Sequence, residues 1–239
     1  MLLDSFLLSE LSGKAIDYSC AFEDSICSMN ALEADAESAK IPRFLQHLHV
    51  FNVFIAFWRG DYEEAENSSQ IAWKVPMPKK PEVLLIYHSL FTGLVALHLY
   101  RTAGDDKRLK RGRDMMDRMR TWTYNSMAVF QNKWLLLKAE YNASFRGSSD
   151  ANEFYEASIK AARDHGNVHE MGLAYQLFGD YYAARGFTSE SQKCYYSAFE
   201  CYTQWGATAV AEKLHRKHGL DPVNYDRIPG KFMHKRERD

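Results

Sequence analysis

Histidine, cysteine and basic side chains are the residues here whose spacing could support chemistry. His165 and His169 stand four apart, but Gly166 and Asn167 lie between them. That pair crosses a helix break, so the rings need not share a face, and spacing supplies no third ligand for zinc. The alternative is a histidine at a helix C-terminus, where a cation is favoured. His169–Glu170 lacks the second histidine of the zinc-protease pattern. His47 and His49 point to different helix faces. His215 and His218 share one, but Lys213, Arg216 and Lys217 surround them and repel a metal cation. No serine sits in a Gly-x-Ser-x-Gly elbow, and no glycine-rich phosphate loop is present. The expectation is a chain without catalytic residues, metal or cofactor.

The cysteines follow the same logic. Cys20 and Cys27 form one i,i+7 pair, Cys194 and Cys201 another. Seven residues span two helical turns, roughly 10 Å. That is too far for a disulfide within a helix and does not match a zinc knuckle. Buried small hydrophobes in a reducing compartment is the reading, with a Cys20–Cys194 pairing left open.

One segment is strongly basic. Lys107, Arg108, Lys110, Arg111 and Arg113, with Arg118 and Arg120 beyond, stand against Asp114 and Asp117. A solvated outer helix explains them; so does a surface for phosphate or acidic partners. The whole chain gives no such field. Its 239 residues are 46% hydrophobic and 26% charged, with a formal net charge of −1. Neither nucleic acid nor an anionic membrane is favoured. No basic n-region precedes Met1-Leu2-Leu3, so no signal peptide is expected and the cytoplasm is the expected location. The longest apolar run, Val83 to Tyr100, carries His88, Ser89, Thr92 and His98, and reads as a buried helix.

The elements that would position these residues are all helical. Residues 1–40 read as N-terminal helices of uncertain register. Pro42 suits the first turn of a helix over 42–59, ended by Gly60. Asp61 with Glu64 makes a capping box for a helix reaching about Trp73. Further helices are predicted from Pro81 to Arg101, then over 105–121, 126–146 and 149–165. Asn167 with Glu170 repeats the capping box and starts a helix ending at Gly186. Helices over 188–204 and 207–218 follow, and residues 220–239 form a basic tail with Pro222 and Pro229.

Gly60, Gly104, Gly147 and Gly186 mark a repeat, at intervals of 44, 43 and 39 residues. Before each stands a triplet on one helix face: Leu48-Phe51-Ile55, Thr92-Val95-Leu99, Trp134-Leu137-Tyr141 and Ala174-Leu177-Tyr181. After them come smaller triplets: Ala65-Ser69-Ala72, a degenerate Leu109-Arg113-Met116, Ala151-Tyr155-Ser158 and Ser191-Tyr195-Ala198. Large faces against small ones let helix pairs approach, and such pairs bury their stripes by stacking. The array resembles tetratricopeptide repeats (TPR). The fold class is therefore all-α: a TPR-like α-solenoid of antiparallel helix pairs, about four to five repeats, over residues 1–219. In such an array the first helices line a groove. Gln46, His49, Phe57, Arg101, Asn132, Asn142, Tyr175 and Tyr182, lying off the packing stripes, are the expected groove residues for a protein or peptide.

A narrower resemblance rests on Phe130 through Glu140, on Tyr155 through Ala174, and on Cys201-Tyr202-Thr203-Gln204-Trp205-Gly206-Ala207. These runs look like the helical-repeat region that follows a STAND-type NTPase module in large signalling proteins. Such proteins often carry kinase-like and histidine-kinase domains. The likeness covers about 40–216 and is strongest over 130–215. It implies a regulatory, protein-binding scaffold in intracellular signal transduction, with adjacent domains of a parent chain as further partners. It carries no catalytic residue over. An RNA- or phosphate-binding repeat using the basic helix over 105–121 is the alternative.

Overall fold

Pro42 opens the first helix, and Gly60 ends it in the left-handed conformation at φ 82°. The Gly60 N–H donates to the Phe57 carbonyl at 2.9 Å and the Asp61 N–H to the Ala56 carbonyl at 2.8 Å. Backbone thus closes the last turn. Asp61 then caps the next helix, its carboxylate accepting from the Glu64 N–H at 3.3 Å. The reciprocal half of the box is not made: the Glu64 carboxylate accepts from Asn52 at 2.7 Å.

The same local rules repeat along the chain. The computed structural model describes residues 40–76, 83–145 and 150–220. Among the described residues there are nine helices and no strand: α1 (Pro42–Arg59), α2 (Tyr62–Ala72), α3 (Val83–Ala103), α4 (Asp106–Thr123), α5 (Met127–Ala143), α6 (Ala151–Asp164), α7 (Val168–Ala184), α8 (Thr188–Trp205) and α9 (Thr208–His218). The protein is all-α. The helices expected over 1–39, the Gly147 break, Cys20, Cys27 and the basic tail lie outside the described residues.

Each helix packs on the next, and α1, α3, α5 and α7 also pack on one another in order. Most of the large triplets face inward: Leu48, Ile55, Thr92, Val95, Leu99, Leu137, Ala174, Leu177 and Tyr181 are buried, while Phe51, Trp134 and Tyr141 are half-buried against the core. The small ones on α2, α6 and α8 are buried. The exception is α4, whose buried residues are Gly112, Met115 and Met119 in place of Leu109, Arg113 and Met116. Gly112 decides this register: a Cβ there would come within 2.5 Å of Leu97 on α3. The absence of that carbon lets the two helices close.

Helix α3 is long and apolar enough to cross a membrane, but 72% of its most apolar stretch is buried inside the fold. It is enclosed by α1, α2, α4 and α5. Its polar groups are matched from α2, where Ser69 Oγ meets His88 Nε2 at 3.1 Å and Thr92 Oγ1 at 2.7 Å.

The last helices return to the first. The Trp58 ring of α1 meets Tyr202 of α8 edge-on at 5.4 Å. Lys213 of α9 donates to the carbonyls of Trp58 at 3.0 Å and Arg59 at 2.5 Å.

Candidate functional site

The first two turns of α3, α5 and α7 bring a charged cluster together between the helices. Lys133 and Glu170 are each 4% exposed, and Nζ lies 2.6 Å from Oε1. Lys133 also donates to the Val129 carbonyl at 2.8 Å. Tyr87 donates to the same Glu170 oxygen at 2.5 Å, and the Asn132 side-chain amide donates to the other. His169 Nε2 lies 3.0 Å from the Tyr87 hydroxyl. Because that hydroxyl spends its proton on Glu170, the geometry puts the proton of His169 on Nε2. The imidazole stacks on Trp205 at 5.1 Å, which places a half-open rim of Tyr87, His169 and Trp205 over a sealed ion pair.

Burial by itself pushes the Glu170 carboxyl up, but hydrogen bonds from His169, Lys133 and Tyr87 and the Lys133 charge outweigh it and hold it at about 2. The Tyr87 hydroxyl is driven far above its ordinary value, first by burial and then by the Glu170 charge. At neutral pH the hydroxyl therefore keeps its proton and the carboxylate stays ionised, and the bond between them ties α3 to α7.

A second network lies at the other ends of the same helices. Arg101 pairs with Glu140 at 2.8 Å, and Tyr155, which is fully buried, donates to the same carboxylate. Tyr195 donates to Asp180 at 2.7 Å. Tyr62 stacks on His98 at 3.8 Å beside them. Burial, then the charges of Asp180 and Glu140, push the Tyr62 hydroxyl up to about 12.

The expected groove residues do not form one surface. Gln46, His49, Phe57 and Asn132 are buried, so they cannot touch a partner. Gln46 donates to the Ala72 and Val75 carbonyls and ties α1 to the end of α2. Phe57 belongs to an aromatic seam with Trp58, Tyr62 and Phe91. Asn132 bonds Glu170 of α7, so for these residues neighbouring helices stand where a partner would have to enter. Arg101, Asn142, Tyr175 and Tyr182 are not in the interior; Tyr175 accepts from Arg163 at 2.9 Å and Tyr182 stacks on Phe178 at 4.4 Å.

The basic helix is likewise partnered. Arg108 bridges Glu63 and Glu66 of α2 at 2.9 and 2.7 Å. Lys110 and Arg113 pair along α4 with Asp114 and Asp117. Lys107 is exposed and Arg111 half-buried against α2 and α3, on the side of Glu66 and Thr92. The pairing across helices is the part that residue order concealed. Among the histidines, His169 joins the Glu170 cluster, while His215 faces Phe199 and His218 stacks on Tyr195. Asn167 makes no side-chain cap, and Glu170 turns inward to Lys133.

Lys133, Glu140 and Glu170 were not singled out as site residues by their spacing. The available signal was charge in the wrong place: Lys133 and Glu140 flank an otherwise apolar run, Trp134 to Leu137, on a helix apolar nearly all round. No family model, no curated protein and no solved structure matches this chain.

Proposed function

We propose that this chain is a TPR-like α-solenoid of four to five antiparallel helix pairs that binds a protein partner. It serves as a non-catalytic scaffold in cytoplasmic signal transduction, within or beside a larger NTPase- or kinase-bearing protein. The observation that carries the reading is where its apolar side chains meet water. Among the described residues nine large hydrophobics are exposed, and seven of them, Ile41, Phe44, Val83, Tyr124, Met127, Val129 and Trp205, sit where odd-numbered helices begin or even-numbered ones stop. The Tyr87–Lys133–Glu170 bonds hold those starts together at one end of the array. Exposed apolar groups gathered this way mark a protein-contact face. The face replaces the groove as the docking surface, and the buried ion pairs beneath it keep its helices in register. The basic helix offers no comparable support for RNA or phosphate, because Arg108, Lys110 and Arg113 already face carboxylates.

The test is a double substitution, Tyr124→Ser with Met127→Ser, at positions 81% and 60% exposed. Proteins co-purifying with the wild-type chain are identified, produced, and titrated against both forms by calorimetry. A loss of about tenfold or more in affinity, with unchanged circular dichroism, is expected. Equal affinities for every co-purifying protein would remove this face from the function.

A further inference from the structure

Most contacts between helices join near neighbours along the chain; besides the Tyr87–Glu170 bond between α3 and α7, one set joins α1, the first described helix, to α8 and α9, the last. The Trp58 and Arg59 carbonyls are among the last of α1, where no further turn supplies a donor. Lys213 supplies it from a position 155 and 154 residues later. The ammonium also meets the negative end of the α1 dipole, which favours a cation. Beside it the Trp58 ring stands on Tyr202, and Trp58 also reaches Phe91 at 6.2 Å.

We propose that α9 is a clasp that shuts the array on itself, with Lys213 as its catch and the Trp58–Tyr202 contact as its seat. Release of Lys213 parts the two ends without unfolding either, and turns Trp58 and the adjoining edge of Tyr202 toward solvent. Three features make this joint the one that opens. Its polar half is exposed, so water competes for both carbonyls. Lys217 and Arg59 crowd Lys213 with like charge; burial first, and then these two neighbours, pull its ammonium below the usual lysine range. The seat is narrow, one ring of α1 set on the cluster around Tyr202, whereas α7 and α8 are joined along their length by Gly172 and Gly179, each under a tyrosine of α8. The closed state hides an aromatic surface on the inner side, opposite in character to the permanently exposed face proposed above, and the clasp does not depend on that face binding anything.

The experiment is pulsed electron spin resonance on the full chain. Spin labels are placed at Asn67→Cys on α2 and Glu212→Cys on α9, both exposed, in a Cys20→Ser, Cys27→Ser background. Wild type gives one short distance with a minor long one. Lys213→Met raises the long-to-short ratio about fivefold to tenfold, the range of an exposed charged hydrogen bond. Lys213→Arg restores the wild-type ratio, and Trp58→Ala raises it with helix content preserved. Distances unchanged in both Lys213→Met and Trp58→Ala overturn the proposal. So does any lengthening that comes only with loss of helical circular dichroism, because the ends would then belong to one cooperative core.

Discussion

Replacing Lys133 with methionine tests the buried cluster most directly. Methionine keeps most of the apolar stem that lies over the Tyr87 ring, with Nζ 5.3 Å from its centroid. What disappears is the full positive charge 2.6 Å from Glu170 Oε1. Stripping a buried carboxylate of its cation costs about 3–5 kcal/mol. Titration gives an independent figure. Glu170 is held at about 2 against an ordinary 4.5, and at about 1.36 kcal/mol per unit its partners, net of the cost of burial, contribute about 3 kcal/mol at neutral pH. Because its folded-state value is depressed, that contribution is complete above pH 4.5 and is lost as pH falls toward 2. In Lys133→Met burial remains while the cation is gone, so the carboxyl takes up its proton at higher pH. Urea unfolding followed by circular dichroism should show the variant about 3 kcal/mol less stable at pH 7, with the gap narrowing below pH 4.5. The double variant Lys133→Met, Glu170→Gln should recover part of the loss, since no buried charge is left unpaired. A single variant within about 1 kcal/mol of wild type at pH 7, with no narrowing in acid, would refute the claim that Lys133 compensates Glu170.

Three further outcomes follow from particular side chains. Burial, then the charge of Arg118, pushes His88 down to about 3, so the unfolded chain takes up a proton below pH 6.5 that the folded one refuses. His88 costs nothing above pH 6.5 and destabilises progressively toward pH 3; His88→Gln should flatten urea midpoints between pH 6 and 4, and an unchanged slope would contradict this. In Gly179→Ala the new carbon meets the Tyr195 ring at 2.6 Å, and that ring is pinned by its hydroxyl bond to Asp180. A loss of about 1–3 kcal/mol is expected in the same assay, and a neutral substitution would mean α7 and α8 have slack. Cys194 and Cys201 are buried, and burial pushes both thiols up to about 12. In the Cys20→Ser, Cys27→Ser background neither should react with a disulfide reagent until denaturant unfolds the chain; reaction of the native protein would place them at the surface.

Residue order by itself determined where the helices start and stop. Pro42, Gly60, Asp61 and Gly206 act through φ angles and backbone bonds a few residues long, so α1, α2 and α8 begin and end within a residue or two of expectation. It also determined most of the inward faces, because a run such as Ala174-Leu177-Tyr181 has one apolar side to hide. The tertiary structure decided the rest. Whether α4 would present Arg113 or Gly112 to α3 depended on how closely Leu97 approaches, which no spacing within α4 records. Glu170 had a local use as a capping partner for Asn167, and a distant one with Lys133 and Tyr87; the distant set took it, because an ion pair and two neutral donors outbid one backbone N–H. Gln46, His49, Phe57 and Asn132 went inside for a related reason. Their burial depends on other helices: Gln46 bonds the carbonyls at the end of α2, Phe57 meets Phe91 of α3 and Asn132 bonds Glu170 of α7, and no spacing within α1 or α5 records where those partners stand.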